Sequence, residues 1–276
     1  MKNECHKSFA RDWVPPAILR FFGRHLGTRL RFEGEFKSWE EATARCAGYQ
    51  AGHILAKVLE ATLKVKHGEA AYERDSVIFD QIEYAWPLLA GLMWSAARNN
   101  GTLSVLDFGG ALGSSYFQNR NYLNSLTEVR WSIVEQPHYV DAGRAQLQDD
   151  QLRFYTTVDE CLAENQPNVV LLSGVLQYLE NPSDIMDSLA RYGASSVIID
   201  RTPFSSLLEH KLLIQRTPAQ IYEASYPMWV FGLEPFMRTL ERNWVLISKM
   251  PGSDGQFFSA NGLAFSFEGM LLEGRA

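Results

Sequence analysis

"VLDFGGALGSSY", Val105 to Tyr116, decides how the rest of this chain is read. An apolar run ends in a carboxylate, Asp107. Three glycines (Gly109, Gly110 and Gly113) follow within five positions, and two serines come next. Glycine lets the backbone turn tightly and lets a ligand approach the main chain closely. The start of the next helix offers N–H groups to an anionic or polar ligand group. Spacing separates the known glycine loops. A phosphate-binding P-loop needs Gly-Lys-Ser/Thr, and no lysine is present. A dinucleotide fingerprint needs G-x-G-x-x-G. Here Gly109, Ala111 and Gly113 fall at every second position, behind an acid two places earlier.

Outward from this stretch, residues 101–276 alternate short β-rich runs with helical segments: "LSVLDF", "SYFQNRNYLNSL", "VRWSIVE", "YVDAGRAQL", "LRFYT", "TVDECLAEN", "NVVLLSG", "PSDIMDSLARYG" and "SSVIID". Such alternation implies a parallel sheet covered on both faces. "NVVLLS" and "SVIID" are continuously apolar, as strands buried on both sides are. The tail, "NWVLISKMPG" and "GLAFSFEGML", predicts an antiparallel hairpin at the sheet edge. The fold expected is α/β: a Rossmann-like, seven-stranded, mostly parallel sheet. Residues 202–240 read as an aromatic and proline-rich insertion, either a lid or acceptor wall or a core-packing loop.

Residues 1–100 read as a helical N-terminal region covering the site. Ser38 and Glu41 have capping-box spacing, Gly48 and Gly52 mark a break, and a helix from Val77 to Ala97 is kinked or divided by Pro87. "WVPPAILRFFGRHLGTRLR" mixes aromatic and aliphatic residues with arginines. Residues 13–31 therefore predict either a peripheral membrane contact or packing on the chain's own domain or a second copy in a homodimer.

The totals fit a globular protein: 276 residues, 46% hydrophobic, 21% charged. A net charge of −6 argues against a broad nucleic-acid surface. Cys5, Cys46 and Cys161 are scattered and odd in number, which argues against a disulfide framework or zinc site and for a reducing cytoplasm. No metal is expected. No run is long enough to span a membrane, and "MKNECHKSFARDW" has no signal-peptide core.

The acid-x-Gly-x-Gly/Ala-x-Gly pattern resembles motif I of class I S-adenosylmethionine-dependent methyltransferases. Wider phrases, "FEGEFKSWEEA", "YERDS", "LDFGGALGSSYFQNR", "WSIVEQ", "LLSGVLQYLENP" and "IIDRTPF", resemble a bacterial methyltransferase family associated with surface-polysaccharide gene clusters. The resemblance implies S-adenosylmethionine as cofactor and S-adenosylhomocysteine as product. It places Asp107, Gly109, Gly110, Ala111 and Gly113 around the methionine end. Ala111 departs from the generic middle glycine. Glu135 ends the second strand 22 positions after Gly113, placed to accept hydrogen bonds from ribose hydroxyls, with Gln136 beside it. Phe154, Tyr155 or Thr156 would pass the adenine. Ser173, Gly174 and Val175 would line the methionine portion, with Gln177 and Tyr178 on the methyl-transfer side. Arg74 would meet the cofactor carboxylate or form a solvated salt bridge.

The activity expected is methyl transfer to an oxygen or nitrogen of a small acceptor, a saccharide or lipid-linked saccharide included. For a base, Asp200 with Arg201 forms either a base and anion clamp or a structural ion pair. His138, His210 and Tyr226 are further candidates. Two other readings stay open: a non-catalytic cofactor-binding module, and a nicotinamide-dependent oxidoreductase or epimerase. The glycine spacing and the lack of a Tyr-x-x-x-Lys pair oppose the second.

Overall fold

The computed structural model describes residues 30–46, 51–74, 76–217, 224–252 and 255–275. In chain order its elements begin with β1 (Arg31–Phe36), α1 (Trp39–Ala44), α2 (Ala51–Lys66), β2 (Tyr72–Arg74), β3 (Val77–Phe79) and α3 (Trp86–Ala97). The alternating part follows: β4 (Thr102–Phe108), α4 (Ser114–Leu123), β5 (Glu128–Val134), α5 (Pro137–Gln146), β6 (Leu152–Tyr155), α6 (Val158–Glu164), β7 (Val169–Ser173) and α7 (Pro182–Arg191). The last elements are β8 (Ser196–Ser205), β9 (Lys211–Thr217), β10 (Ala224–Gly232), α8 (Leu233–Leu240), β11 (Trp244–Met250), β12 (Gln256–Phe258) and β13 (Ala264–Gly274).

The sheet core runs β6-β5-β4-β7-β8-β13-β11. β4 to β8 are mutually parallel, and β13 lies antiparallel between β8 and β11. This is the Rossmann-like arrangement expected, but among the described residues the sheet has eleven strands, not seven. The four additional strands are β1, β9, β10 and β12.

Alternating side chains of the parallel strands feed two cores. Val105, Val169 and Leu171 join Leu88 and Leu92 of α3, Phe117 of α4 and Val140 of α5. Leu106, Val170 and Leu172 join Cys161 of α6, Met186 of α7 and Phe236 of α8. Burial on both faces explains why these strands read as unbroken apolar runs.

Three expectations are corrected. First, the N-terminal part is not all helix, because β1 pairs antiparallel with β9 (Arg31↔Arg216, Phe36↔Leu212). Second, no helix runs from Val77. Residues 77–79 pair with Tyr72–Arg74 as a hairpin, and Pro87 sits in the first turn of α3. A proline lacks an N–H and has a helical φ, so it starts a helix well and continues one poorly. Third, the segment 202–240 is mostly strand. β8 does not end at Asp200. Arg201 takes a left-handed φ of 49°, and the strand continues to Ser205. Its first half pairs with β7 and β13. Its second half keeps β13 and gains β10 (Phe231↔Phe204). This fork hangs the antiparallel set β10-β9-β1 beyond the carboxyl edge of the parallel sheet.

Ser38 caps α1 as its spacing predicts, accepting from the Glu41 N–H at 3.1 Å. The Glu41 carboxylate reaches back to the Lys37 N–H, one residue before the cap. Gly48, Cys5 and residues 13–29 lie outside the described residues, as do Asp75 and residues 218–223 of the insertion. No helix among the described residues is long and apolar enough to cross a membrane.

Candidate functional site

A cavity of about 770 Å³ opens at the carboxyl edge of β4, β5 and β7. Its size lies within the roughly 300–1,000 Å³ usual for small-molecule sites. The glycine bend forms one wall. Gly109 (φ 71°), Ala111 (φ 49°) and Gly113 (φ 96°) all adopt left-handed backbone conformations. A Cβ on Gly109 would lie 2.6 Å from Val175, and one on Gly110 2.5 Å from the Asp107 carboxylate. Bare main chain is therefore required at both positions. Ala111 accepts the conformation that glycine would adopt more readily.

Asp107 is 1% exposed and lies beneath this bend. It accepts a hydrogen bond from Trp131 Nε1 at 2.9 Å. Burial lifts its pKa to about 7, against the opposing effects of the Trp131 bond and the Arg201 charge, while Glu135 adds to the rise. Register brings the second acid alongside, since Phe108 pairs with Val134. Glu135 turns toward the bend. It accepts from its neighbour's N–H, Gln136, at 2.6 Å, and from the Ala111 N–H. Burial raises its pKa too, with both backbone bonds and His138 pulling the other way.

Gly109, Ala111, Glu135, Gln136, Thr156, Gly174, Val175 and Tyr226 line the cavity. Other sequence candidates sit elsewhere. Gly113 is the N-cap of α4. Of the third-strand candidates, Phe154 is core. The Tyr155 hydroxyl donates to Glu164 and accepts from Asn165, turned from the cavity into the α6 core. Ser173 donates to Asp200 at 2.8 Å and accepts from Arg201 Nε at 3.2 Å. Asp200 and Arg201 thus form a linked polar cluster behind Gly174, with Nε 3.7 Å from the carboxylate. His210 is not brought to the cavity: its Nδ1 accepts from the Gly232 N–H at 3.0 Å, and its ring packs edge-on to Phe231. Arg74 is half-buried opposite Val77 and does not line the cavity. Gln177 is buried and donates to the Arg201 carbonyl, while Tyr178 lines the cavity.

Sequence reading missed several participants. Ile54 and Val58 of α2, Phe108, Ser114, Val134, Pro137, Tyr139 and Leu179 also line it. Glu73 is 1% exposed and accepts from the Ser114 hydroxyl at the start of α4. The signal available was an acid between an aromatic residue and an arginine in "YERDS". The candidate in this phrase is Arg74, yet Glu73 is the charged residue that is buried. No cluster of metal-ligating side chains occurs among the described residues.

No protein-family model matches this chain, and no curated protein does. Several solved structures are similar to it at low identity. The N-terminal domain of EvdMO1, solved in the presence of SAH and D-fucose, is 14% identical over 79% of this chain and 96% of its own, with a TM-score of 0.44. CalS10, an amino pentose methyltransferase from Micromonospora echinaspora, is 11% identical over 79% and 97%, with a TM-score of 0.45. An S-adenosylmethionine-dependent methyltransferase from Clostridium acetobutylicum is 9% identical over 79% and 98%, with a TM-score of 0.44.

Proposed function

We propose that this chain is an S-adenosylmethionine-dependent methyltransferase acting on an oxygen or nitrogen of a small acceptor, saccharides included. The observation that carries the reading is Glu135: a carboxylate at a strand tip, turned onto a bare glycine bend and sharing a cavity with it. The residues present fit the cofactor. Glu135 would hold the ribose hydroxyls. The Gly109–Gly113 bend, with the Asp107 carboxyl group beneath it, would receive the methionine end. Thr156, Pro137 and Tyr139 would border the base.

When bound, the cofactor supplies a methyl group activated by its sulfonium. The chain's own contribution is alignment of the acceptor and exclusion of water. Ile54, Val58, Tyr178, Leu179 and Tyr226 form an apolar and aromatic end of the cavity suited to that task. Of the four candidate bases Asp200, His138, His210 and Tyr226, Tyr226 lines the cavity. Its hydroxyl is the group we assign to orienting the acceptor.

Calorimetric titration of the full chain with S-adenosylmethionine and S-adenosylhomocysteine tests this reading. The expected result is saturable binding of both ligands, abolished by Glu135→Ala. Absence of heat with either ligand on folded protein overturns it.

A further inference from the structure

We propose that the acceptor is an uncharged ring with an apolar face and a hydroxylated edge, read by a hydrogen-bonded chain through Tyr178, Gln215, Tyr226 and Thr217. This rests on the methyltransferase reading of the same cavity and goes further by naming the acceptor's chemical class.

The chain is directional. The Tyr178 hydroxyl donates to Gln215 Oε1 at 3.0 Å. Gln215 Nε2 donates to the Tyr226 oxygen at 3.3 Å. The Tyr226 hydroxyl shares a 2.9 Å bond with Thr217 Oγ1. Gln215 and Thr217 are buried, so the amide is held with its acceptor toward one phenol and its donor toward the other. With its proton aimed at Gln215, Tyr178 meets a ligand as an acceptor, which suits an incoming hydroxyl. The two phenol rings stand edge-to-face, 5.1 Å apart, and both line the cavity. Ile54, Val58 and Leu179 add aliphatic surface around them. A flat apolar ring face packs well on such a wall.

Charge narrows the class further. Among the described residues lining the cavity, Glu135 is the one charged side chain, and it lies at the bend. Arg201, behind Gly174, is engaged with Ser173 and Asp200. Among the described residues, a phosphate or carboxylate on the acceptor would lose its water without gaining a cation from the cavity lining, and it would face the partly buried Glu135. Phenols and simple glycosides share the favoured chemistry, and the test separates them.

Full-length protein is first titrated with S-adenosylhomocysteine. Failure at this step removes the cofactor reading itself and is scored separately. The loaded protein is then examined by ligand-observed NMR with two matched pairs: p-cresol with p-cresyl phosphate, and methyl glucoside with its 6-phosphate. The neutral member of at least one pair is expected to bind roughly tenfold tighter than its phosphate. The pair that responds identifies the ring as aromatic or saccharide. Tyr178→Phe and Tyr226→Phe should each weaken that binding by roughly fivefold to tenfold, with S-adenosylhomocysteine affinity within about twofold of the parent. Equal or tighter binding of the phosphates overturns the proposal. So does neutral binding that both variants leave untouched, or the absence of binding by every probe at millimolar concentration to loaded protein.

Discussion

Glu135 and Tyr226 face one cavity, yet the two ends they belong to are built by different means. The Glu135 end comes from one strand–bend–helix unit and the tip of the next strand. Parallel pairing of β4 with β5 sets these side by side, and the binding surface is largely main chain. The Tyr226 end collects α2, the turn at Leu176–Tyr178 and β10, with Gln215 and Thr217 of β9 hydrogen-bonded behind the tyrosines. The first end is local because a backbone shape needs only a few consecutive residues. The second depends on the kink at Arg201, which carries β10 past the edge of the parallel sheet. A binding surface made of backbone can be relocated only by unfolding its loop. One made of side chains on added strands can be refitted to a new ligand residue by residue.

The sharpest way to separate the ends is pH. The pKa of Asp107 rises from 3.8 to about 7 on folding, so the folded chain binds its proton more tightly than the unfolded chain does. Stability contributed by this group is therefore fully present below about pH 4 and is lost as pH rises toward 7. Three units correspond to about 4 kcal/mol. Denaturant unfolding at both pH values should show this loss in the parent and not in Asp107→Asn, which keeps an acceptor for Trp131. Binding of the proposed cofactor, a cation, runs the other way and should tighten as pH rises through about 7.

Next in size, Glu135→Gln should weaken S-adenosylhomocysteine binding by roughly 100-fold, about 3 kcal/mol for two charge-assisted hydrogen bonds. Tyr226→Phe should leave it nearly unchanged. Calorimetry on the two variants would break the comparison if both lost the cofactor equally.

Gly110→Ala puts a methyl group 2.5 Å from the Asp107 carboxylate. It should cost about 1–3 kcal/mol of stability and weaken the cofactor with it. Gly193→Ala meets nothing within 4 Å and bears only the strain of its 71° φ, about 1 kcal/mol, with cofactor binding intact. Thermal melts with and without S-adenosylhomocysteine distinguish the two. Smallest of all, His210→Ala removes one hydrogen bond at an exposed residue. It should change stability by no more than about 1 kcal/mol and leave both ends of the cavity working, read by the same melts and titrations.

Much of the bend end of the cavity was legible in residue order. Asp107, Gly109 and Ala111 are placed by spacing within one bend, and Glu135 by its position at the next strand tip. Asp200 was read as a strand end because "SVIID" ends in a charge. A single left-handed residue carries the strand onward, and no sequence pattern announces a non-glycine φ of 49°. Pro227 and the aromatic residues around it suggested a loop. Yet β10 pairs along its length with β9 (Ala224↔Thr217 to Val230↔Lys211), a partner the local composition does not reveal. Ile54 and Val58 carried the ordinary signature of a core-facing helix stripe. Only the docking of α2 over the bend makes them cavity wall.

By itself, then, the order of residues determined the alternating α/β core, the bend and the two acids at neighbouring strand tips. Each of these depends on chemistry within a few positions or on the regular pairing of consecutive parallel strands. Tertiary structure alone decided that β8 forks, that Tyr178 and Tyr226 meet through Gln215, and that Glu73 reaches Ser114. The hydrogen bonds among them join residues 11 to 41 positions apart. What brings them together is packing and non-local strand pairing, which leave no periodic trace in the chain.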